Sequence, residues 1–332
     1  MNLYENVSLK GSEGMPLITD ISYHGEAKQQ SFFEGWYLKH QIDQQAYAFI
    51  PGISIEKDGS RHPFIQVIHD ESSHMIHFEE SEFSAKEDRF DVRIGKNRFS
   101  EKGISLDIQD EKENLFISGK ITYGPFVPIE RSKFSPSIMG PFSYLSFMEC
   151  YHGILSMVHS LQGSLSWNEQ VIDFSGGTGY IEKDWGTSFP KAYIWIQSNT
   201  FQDENVQFFF SLADIPFIGF EFLGVICVLV IAGKEYRIAT YHGGKVKSIT
   251  REKDQLEIVL KQKNTVLKIA VETNAGHALM APSQGEMNRI IRENANTTIK
   301  ISLMEQGKPI FEGTGRMSGF EEVGQVGTFK YE

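Results

Sequence analysis

Two carboxyl side chains and several aromatic rings lie close together in the stretch GYIEKDWGTSFPKAYIWIQSN, residues 179–199. If its first part forms a strand, the period-2 alternation places Tyr180, Glu182 and Asp184 on one face. Two buried carboxyls on one face push each other's pKa values apart, so that one stays ionised while the other keeps its proton near neutral pH. A protonated carboxyl in an apolar pocket is a suitable general acid.

A second candidate acid lies in FFEGWYLKH, residues 32–40. Alternation puts Glu34 on the same face as Trp36, and a carboxylate among apolar side chains is costly to bury unless it is paired or protonated. Glu34 is therefore either a further acid or a cap for a backbone group at the end of the strand. His152, in FMECYHGILSMVH, is a candidate hydrogen-bonding residue.

Composition excludes several classes of function. The formal net charge of −11 argues against nucleic acid and anionic membranes as partners. The two cysteines, Cys150 and Cys227, have no disulfide or zinc-type spacing, and we expect neither a metal ion nor a cofactor. Residues 1–17 lack a signal-peptide pattern, and the most apolar run, 217–233, is interrupted by Glu221. These features predict a reduced, soluble, cytoplasmic protein without stable membrane insertion.

Short β-branched and aromatic runs separated by glycine-containing turns fill most of the chain and predict an all-β protein. One short helix is predicted in GEMNRIIRENAN, residues 285–296, where Met287, Ile290 and Ile291 form an apolar stripe. The segments that carry Trp36 and Trp195 have a similar order of features, which favours two stacked barrels or sandwiches. Chance similarity between aromatic hairpins is the alternative. We place the two domains at residues 1–184 and 185–332.

Four motifs resemble, in the same order, those of the tocopherol cyclase family: FFEGWYLK, GYIEKDWGTSFPKAYIWIQSN, SLADIPF and LMAPSQGEM. The resemblance spans residues 22–326. The tocopherol cyclase family has a more distant likeness to carotenoid hydratases. Their GY.D..WG motif has its acid at the position where this chain has Glu182. The resemblance implies two tandem lipocalin-like (calycin-like) antiparallel barrels. It also implies an enzyme in which an acid protonates a prenyl alkene and a phenol oxygen, or water, captures the cation.

These implied roles fall on particular residues of this chain. Glu182 would be the acid, Asp184 its partner and Glu34 a second candidate, while Asp184 or His152 would accept the phenol proton. Aromatic faces stabilise a carbocation, and the candidates are Trp36, Tyr180, Trp185 and Trp195. Plant members usually have Asn at the position of Asp184 and a Cys in the motif that reads QSN here, so the prenylated hydrophobic substrate is left open.

Two other interpretations fit the same residues. A non-catalytic lipocalin-like carrier of an isoprenoid ligand would explain the aromatics and the barrels, and it would be indifferent to loss of the Glu182 carboxyl. Alternatively, the EKDWG segment at 182–186 locks the junction between the barrels by salt bridges and tryptophan packing. This last interpretation requires Glu182 and Asp184 to be exposed and paired with lysines.

Overall fold

The computed structural model describes residues 20–69, 72–202, 205–274 and 276–324, which form strands and short 3-10 helices. The first antiparallel sheet contains β1 (Phe32–Ile42), β2 (Gln45–Ile55), β3 (Arg61–His69), β4 (Ser72–His77), β5 (Phe83–Ala85), β6 (Asp91–Ile94), β7 (Asn97–Ser100), β8 (Gly103–Asp110), β9 (Leu115–Tyr123), β10 (Cys150–Trp167), β11 (Gln170–Asp173) and β12 (Thr178–Gly186). The second contains β13 (Tyr193–Ser198), β14 (Val206–Phe217), β15 (Phe220–Ile231), β16 (Lys234–Ala239), β17 (Lys245–Glu252), β18 (Gln255–Gln262), β19 (Thr265–Glu272), β20 (His277–Ser283), β21 (Glu286–Glu305) and β22 (Lys308–Val323). The 3-10 helices are Glu80–Glu82, Gly140–Tyr144 and Thr240–His242. The targeting prediction for residues 1–17 lies outside the described residues.

The two sheets repeat one topology, because in each the first strand pairs with the last. Strand β1 lies between β2 and β12, and β13 lies between β14 and β22. Trp36 and Trp195 stand in these two first strands, but they face different ways. Trp36 packs inside the first sheet, whereas Trp195 packs between the sheets. A shift of one residue along a strand reverses the face of a side chain.

Three apolar clusters account for the packing, and they confirm the predicted all-β architecture with two lipocalin-like sheets. The first sheet curls around an interior that includes Trp36, Leu38 and Phe99. The second curls around an interior that includes Ile196, Phe208 and Leu267. A third cluster fills the space between the sheets and includes residues of both, among them Tyr37, Tyr180, Trp195, Phe209 and Ile291.

The predicted helix at residues 285–296 is wrong. Gln284 and Gly285 are the two central residues of a hairpin turn, with φ values of 53° and 87°, and strand β21 begins at Glu286. Ile290 is 69% exposed while Ile291 is 3% exposed, as expected for neighbours on opposite faces of a strand. Pairing with β19, β20 and β22 outweighs the local helical pattern. No helix in the described ranges has the length and apolar character needed to cross a membrane.

The long connection from β9 to β10 covers the contact between the sheets. Its residues Ile138 and Met139 are buried in the cluster between the sheets, and Leu145 packs against that cluster. The side chain of Tyr241, in the second sheet's half of the chain, donates a hydrogen bond to the carbonyl of Ile138. This loop therefore closes one side of the region in which the candidate site lies.

Candidate active site

A cavity of about 160 Å³ lies between the two sheets. One water needs only roughly 10–15 Å³ measured in the same way, so there is room for part of an organic molecule. The wall is mainly apolar, with side chains from both sheets that include Phe33, Ile50, Phe64, Phe189, Ile226 and Leu279. Among these stand three carboxyls, those of Glu182, Asp184 and Glu321.

Two of these carboxyls belong to strand β12. As the sequence predicts, side chains along this strand alternate between its two faces, so Glu182 and Asp184 share one face. Glu182 and Asp184 line the cavity, and Tyr180 packs in the cluster between the sheets. Ile181 faces the opposite way and packs inside the first sheet. The neighbouring strands β1 and β10 pair with β12 on both sides and hold this orientation.

Glu182 is buried and hydrogen-bonded by two aromatic side chains. Its Oε2 accepts a bond of 2.5 Å from the Tyr180 hydroxyl and one of 3.1 Å from Trp195 Nε1. The residue is 4% exposed. Burial raises the pKa of Glu182 to about 7, with His152 opposing the rise and Asp184 adding to it. The carboxyl can therefore hold a proton near neutral pH.

His152 connects the two carboxyls of β12. Its Nδ1 lies 2.8 Å from Asp184 Oδ1, and its Nε2 lies 3.7 Å from Glu182 Oε2. The ring stacks on Phe209 of the second sheet, with centroids 4.9 Å apart. Burial alone would lower the pKa of His152, but Asp184 and Glu182 together raise it to about 9. The side chain is thus an imidazolium at neutral pH. It hydrogen-bonds with Asp184, while its Nε2 lies beyond hydrogen-bond distance of Glu182.

The same trio also meets a distance criterion for a metal site, since one donor atom from each residue lies within 4.8 Å of the others. A ligating histidine must be neutral, however, because a metal binds the lone pair of a ring nitrogen. His152 instead forms an ion pair with Asp184, and Glu182 Oε2 already accepts two hydrogen bonds. A metal ion would have to displace a proton from His152 and compete with the hydrogen bonds that Tyr180 and Trp195 donate to Glu182.

The other face of the EKDWG segment forms an ion pair away from the cavity. Lys183 and Glu34 are both fully buried, with Lys183 Nζ 2.7 Å from Glu34 Oε1. Burial would raise the pKa of Glu34, yet Lys183 and His24 hold it below its usual value. The structure therefore places Glu34, the second candidate acid, in an ionised pair that does not line the cavity.

Of the aromatic candidates, Trp195 lines the cavity and Tyr180 contacts Glu182 directly. Trp36 and Trp185 instead flank the Lys183 ammonium, with ring centroids 5.3 Å and 4.6 Å from Nζ. These two tryptophans stabilise a buried cation of the protein itself. They are not brought into the cavity wall.

Sequence reasoning missed a second pair of carboxyls, Glu293 and Glu321. They are cross-strand partners in β21 and β22, and Glu321 lines the cavity. Tyr37 donates a hydrogen bond of 2.5 Å to Glu293, and Tyr193 donates one of 2.6 Å to Glu321. The helical interpretation of residues 285–296 concealed Glu293. As a strand, the same residues place Ile291, Glu293 and Ala295 on one buried face.

The chain is similar to known proteins of one family. The family model described as tocopherol cyclase-like matches residues 98–325. A probable chloroplastic tocopherol cyclase of Oryza sativa subsp. japonica is 22% identical over 230 residues, which are 54% of this chain and 49% of the relative. The chloroplastic tocopherol cyclase of Zea mays is 24% identical over 229 residues, 54% of this chain and 48% of the relative. The chain thus spans about half the length of the curated relatives it matches.

Solved structures share the fold at low sequence identity. CghA with Sch210972 matches with a TM-score of 0.54 and 8% identity, over 88% of this chain and 89% of that one. A putative AttH from Nitrosomonas europaea matches with a TM-score of 0.53 and 13% identity, over 95% of this chain and 98% of that one. At these identities the likeness establishes a common fold for the three chains.

Proposed function

The chain belongs to the tocopherol cyclase-like family, and we propose that it is an enzyme that protonates the alkene of a prenylated hydrophobic small molecule and closes a ring, or adds water, at the resulting cation. Glu182 is the acid. The observation that carries the proposal is a carboxyl held near its protonation point by burial in the wall of an apolar cavity. Protonation of an unactivated alkene needs an acid of this kind in contact with the substrate.

The charges of the site suit this step. In the reactive form Glu182 carries its proton, and the His152 imidazolium balances the Asp184 carboxylate. Transfer of the Glu182 proton to carbon forms a C–H bond from the alkene π electrons and leaves a carboxylate beside a tertiary cation. The transfer leaves the net charge of the site unchanged but creates a carboxylate and a cation, which a low dielectric disfavours. The hydrogen bonds from Tyr180 and Trp195 and the nearby His152 imidazolium stabilise the carboxylate that forms at Glu182.

His152 is placed to complete the proton cycle. When a phenol oxygen captures the cation, a C–O bond forms and the O–H proton must leave. Asp184 Oδ1, at 2.8 Å from His152 Nδ1, can accept that proton, and His152 Nε2, at 3.7 Å from Glu182 Oε2, can return one to Glu182. Asp184 then holds a proton that His152 lacks, and proton exchange with solvent at these two partly exposed side chains restores the starting ion pair. Ring closure then consumes no net proton, whereas hydration consumes one water.

Among the aromatic rings of the cavity wall, the indole of Trp195 is the one best placed to stabilise the cation. Its Nε1 donates a hydrogen bond to Glu182, and its ring packs edge to face against that of Tyr37, with centroids 5.4 Å apart. A fixed aromatic face stabilises a desolvated cation by about 2 kcal/mol or more. Trp195 therefore lies next to the acid that generates the charge.

Solvent deuterium tests the proposal. Incubation of the wild-type protein in D₂O with a prenylated hydroquinone should give a product of shifted chromatographic mobility that carries one deuterium on carbon. A cyclised product keeps the mass of its substrate apart from that deuterium, whereas a hydrated product gains one water. Binding of the hydroquinone without conversion would instead make the protein a carrier. The cytoplasmic location expected from the sequence stays a prediction.

A further inference from the structure

The cavity wall opposite β12 contains a second acidic pair that the proposed reaction does not use. Glu321 is 9% exposed and lines the cavity, and Glu293, its partner on the next strand, is 1% exposed. Each accepts a hydrogen bond from a tyrosine of the cavity wall, Glu293 from Tyr37 and Glu321 from Tyr193. The second oxygen of Glu293 is buried without a hydrogen-bond partner.

Lys39 provides the cation on the Glu293 side of this pair. It is fully buried and donates hydrogen bonds to the Met317 carbonyl and to Gln197 Oε1. Its charge opposes the effect of burial, which raises the pKa of Glu293 to about 7. Lys39 therefore compensates the charge of Glu293 rather than that of Glu321.

Within the part of the chain that the structure describes, Glu321 has no cationic partner of its own. His152 is paired with Asp184, and Glu182 holds a proton near neutral pH. The acidic groups that face Glu321 are Glu293, Glu182 and Asp184, while Tyr193 donates to it. Burial first, and these carboxyls after it, raise the pKa of Glu321 well above its usual value. An ionised Glu321 would be a buried negative charge next to other carboxyls, which the low dielectric disfavours.

We propose that Glu321 is a second acid of the cavity, which donates a hydrogen bond to an oxygen atom of the substrate from the wall opposite Glu182. Glu293 acts as a positioning residue, since its negative charge on the neighbouring strand, once it is ionised, favours the protonated form of Glu321. The cavity then has an oxygen-binding end between the two acids, and its apolar wall receives the hydrocarbon part. The inference rests on the proposed function for the reaction that the bound molecule undergoes. The hydrogen bond from Glu321 to that molecule does not depend on the reaction.

Infrared spectroscopy tests the protonation state without any turnover. At pH 8 the wild-type protein should show the carbonyl absorption of a protonated carboxyl, which Glu321→Gln removes. Glu322→Gln is the matched control, because Glu322 is the next residue of the strand and pairs with Arg251 at the surface. Glu293→Gln should lower the pH at which the band disappears. A band that persists unchanged in Glu321→Gln would overturn the proposal.

Binding of two probes tests the hydrogen bond itself. A prenylated phenol and the matching prenylated benzene, which lacks the hydroxyl, are titrated by tryptophan fluorescence, since Trp195 lines the cavity. Glu321→Leu should weaken binding of the phenol about 3- to 10-fold, the value of one hydrogen bond, and leave the benzene unchanged. Glu321→Gln retains a donor and should bind both probes as the wild type does.

Equal weakening of both probes in Glu321→Leu would assign Glu321 a purely structural role and overturn the inference. If the wild type binds the phenol selectively but converts no prenylated hydroquinone, the proposed reaction fails while the oxygen-binding role of Glu321 stands. The two failures are therefore distinguishable.

Discussion

Glu182 and His152 share one unusual property, which is that both hold protons more tightly in the folded chain than in the unfolded chain. Burial raises the pKa of Glu182 to about 7, and the neighbouring carboxylates raise that of His152 to about 9 despite its burial. The unfolded values are about 4.3 and 6.5. Each contribution to stability is therefore complete below the unfolded value and is lost as the pH rises through the folded one.

The consequence is a fall in stability on the alkaline side. We expect the free energy of unfolding, measured by urea denaturation, to decrease between pH 6 and pH 9. His152→Gln should reduce that decrease by about 1–3 kcal/mol, because it removes the group that loses its proton in this range. An identical pH dependence in the wild type and the variant would show that His152 is not charged in the folded protein.

For single residues, the sequence predicts on which face of its own strand a side chain lies, but it misses contacts between side chains of different strands. Period-2 alternation in β12 was enough to bring Glu182 and Asp184 onto one face, and the structure places both in the cavity wall. Glu321 has no local signal of comparable strength, because its partner Glu293 belongs to another strand. For Glu34, alternation gave the correct face but not the partner, Lys183, which is 149 positions away in the sequence.

Among the elements, β1 and β12 are joined by a buried ion pair in addition to their backbone pairing. Lys183→Met should leave the Glu34 carboxylate buried without its partner and destabilise the fold by about 3–5 kcal/mol. The double variant Lys183→Met with Glu34→Gln removes both charges and should recover at least half of that loss. Chemical denaturation of the two variants checks this. Equal destabilisation of both would mean that lost packing, not the unpaired charge, is the cause.

The turn between β20 and β21 docks the second sheet onto the first. A Cβ atom at Gly285, where φ is 87°, would lie 2.4 Å from the Ile55 carbonyl oxygen and 2.6 Å from the Phe32 backbone nitrogen. Gly307 occupies the β21–β22 turn with a φ of 78° and open space around it. Alanine at Gly307 should therefore cost only the backbone strain, roughly 1–2 kcal/mol.

Alanine at Gly285 should cost at least about 1 kcal/mol more than alanine at Gly307, because a backbone atom of the first sheet must also move. Thermal unfolding of the two variants measures the difference. A Gly285→Ala protein as stable as Gly307→Ala would contradict the contact between this turn and the first sheet.

The secondary structure could be predicted where it depends on local turns, and it could not be predicted where it depends on pairing between strands that are distant in the sequence. The hairpin glycines and alternating apolar residues are enough to predict an all-β chain. Residues 285–296 have a helical stripe by coincidence, since Met287, Ile290 and Ile291 are divided between the two faces of a strand. The three strands that pair with β21 decide its conformation, and their contacts lie beyond any local window.

In the whole molecule, the candidate site belongs to neither sheet alone. Each sheet fills its own interior with apolar side chains, and the cavity is formed where the two sheets meet. The interpretation of the EKDWG segment as a lock between the barrels requires Glu182 and Asp184 to be exposed and paired with lysines. Glu182 is instead 4% exposed, and Asp184 pairs with His152. Lys183 is in a structural ion pair with Glu34, while Glu182 faces the cavity and contacts Trp195 of the second sheet. No local pattern predicts a cavity at such a boundary.

The central claim is that the Glu182 proton drives the reaction, and the most direct measurement is the turnover of Glu182→Gln on a prenylated hydroquinone, made alongside its binding affinity. We predict that turnover falls at least about 100-fold, as expected for loss of a general acid. Affinity should stay close to that of the wild type, because Gln retains the shape of the side chain and the acceptor for Tyr180 and Trp195. Full turnover in Glu182→Gln would contradict the account.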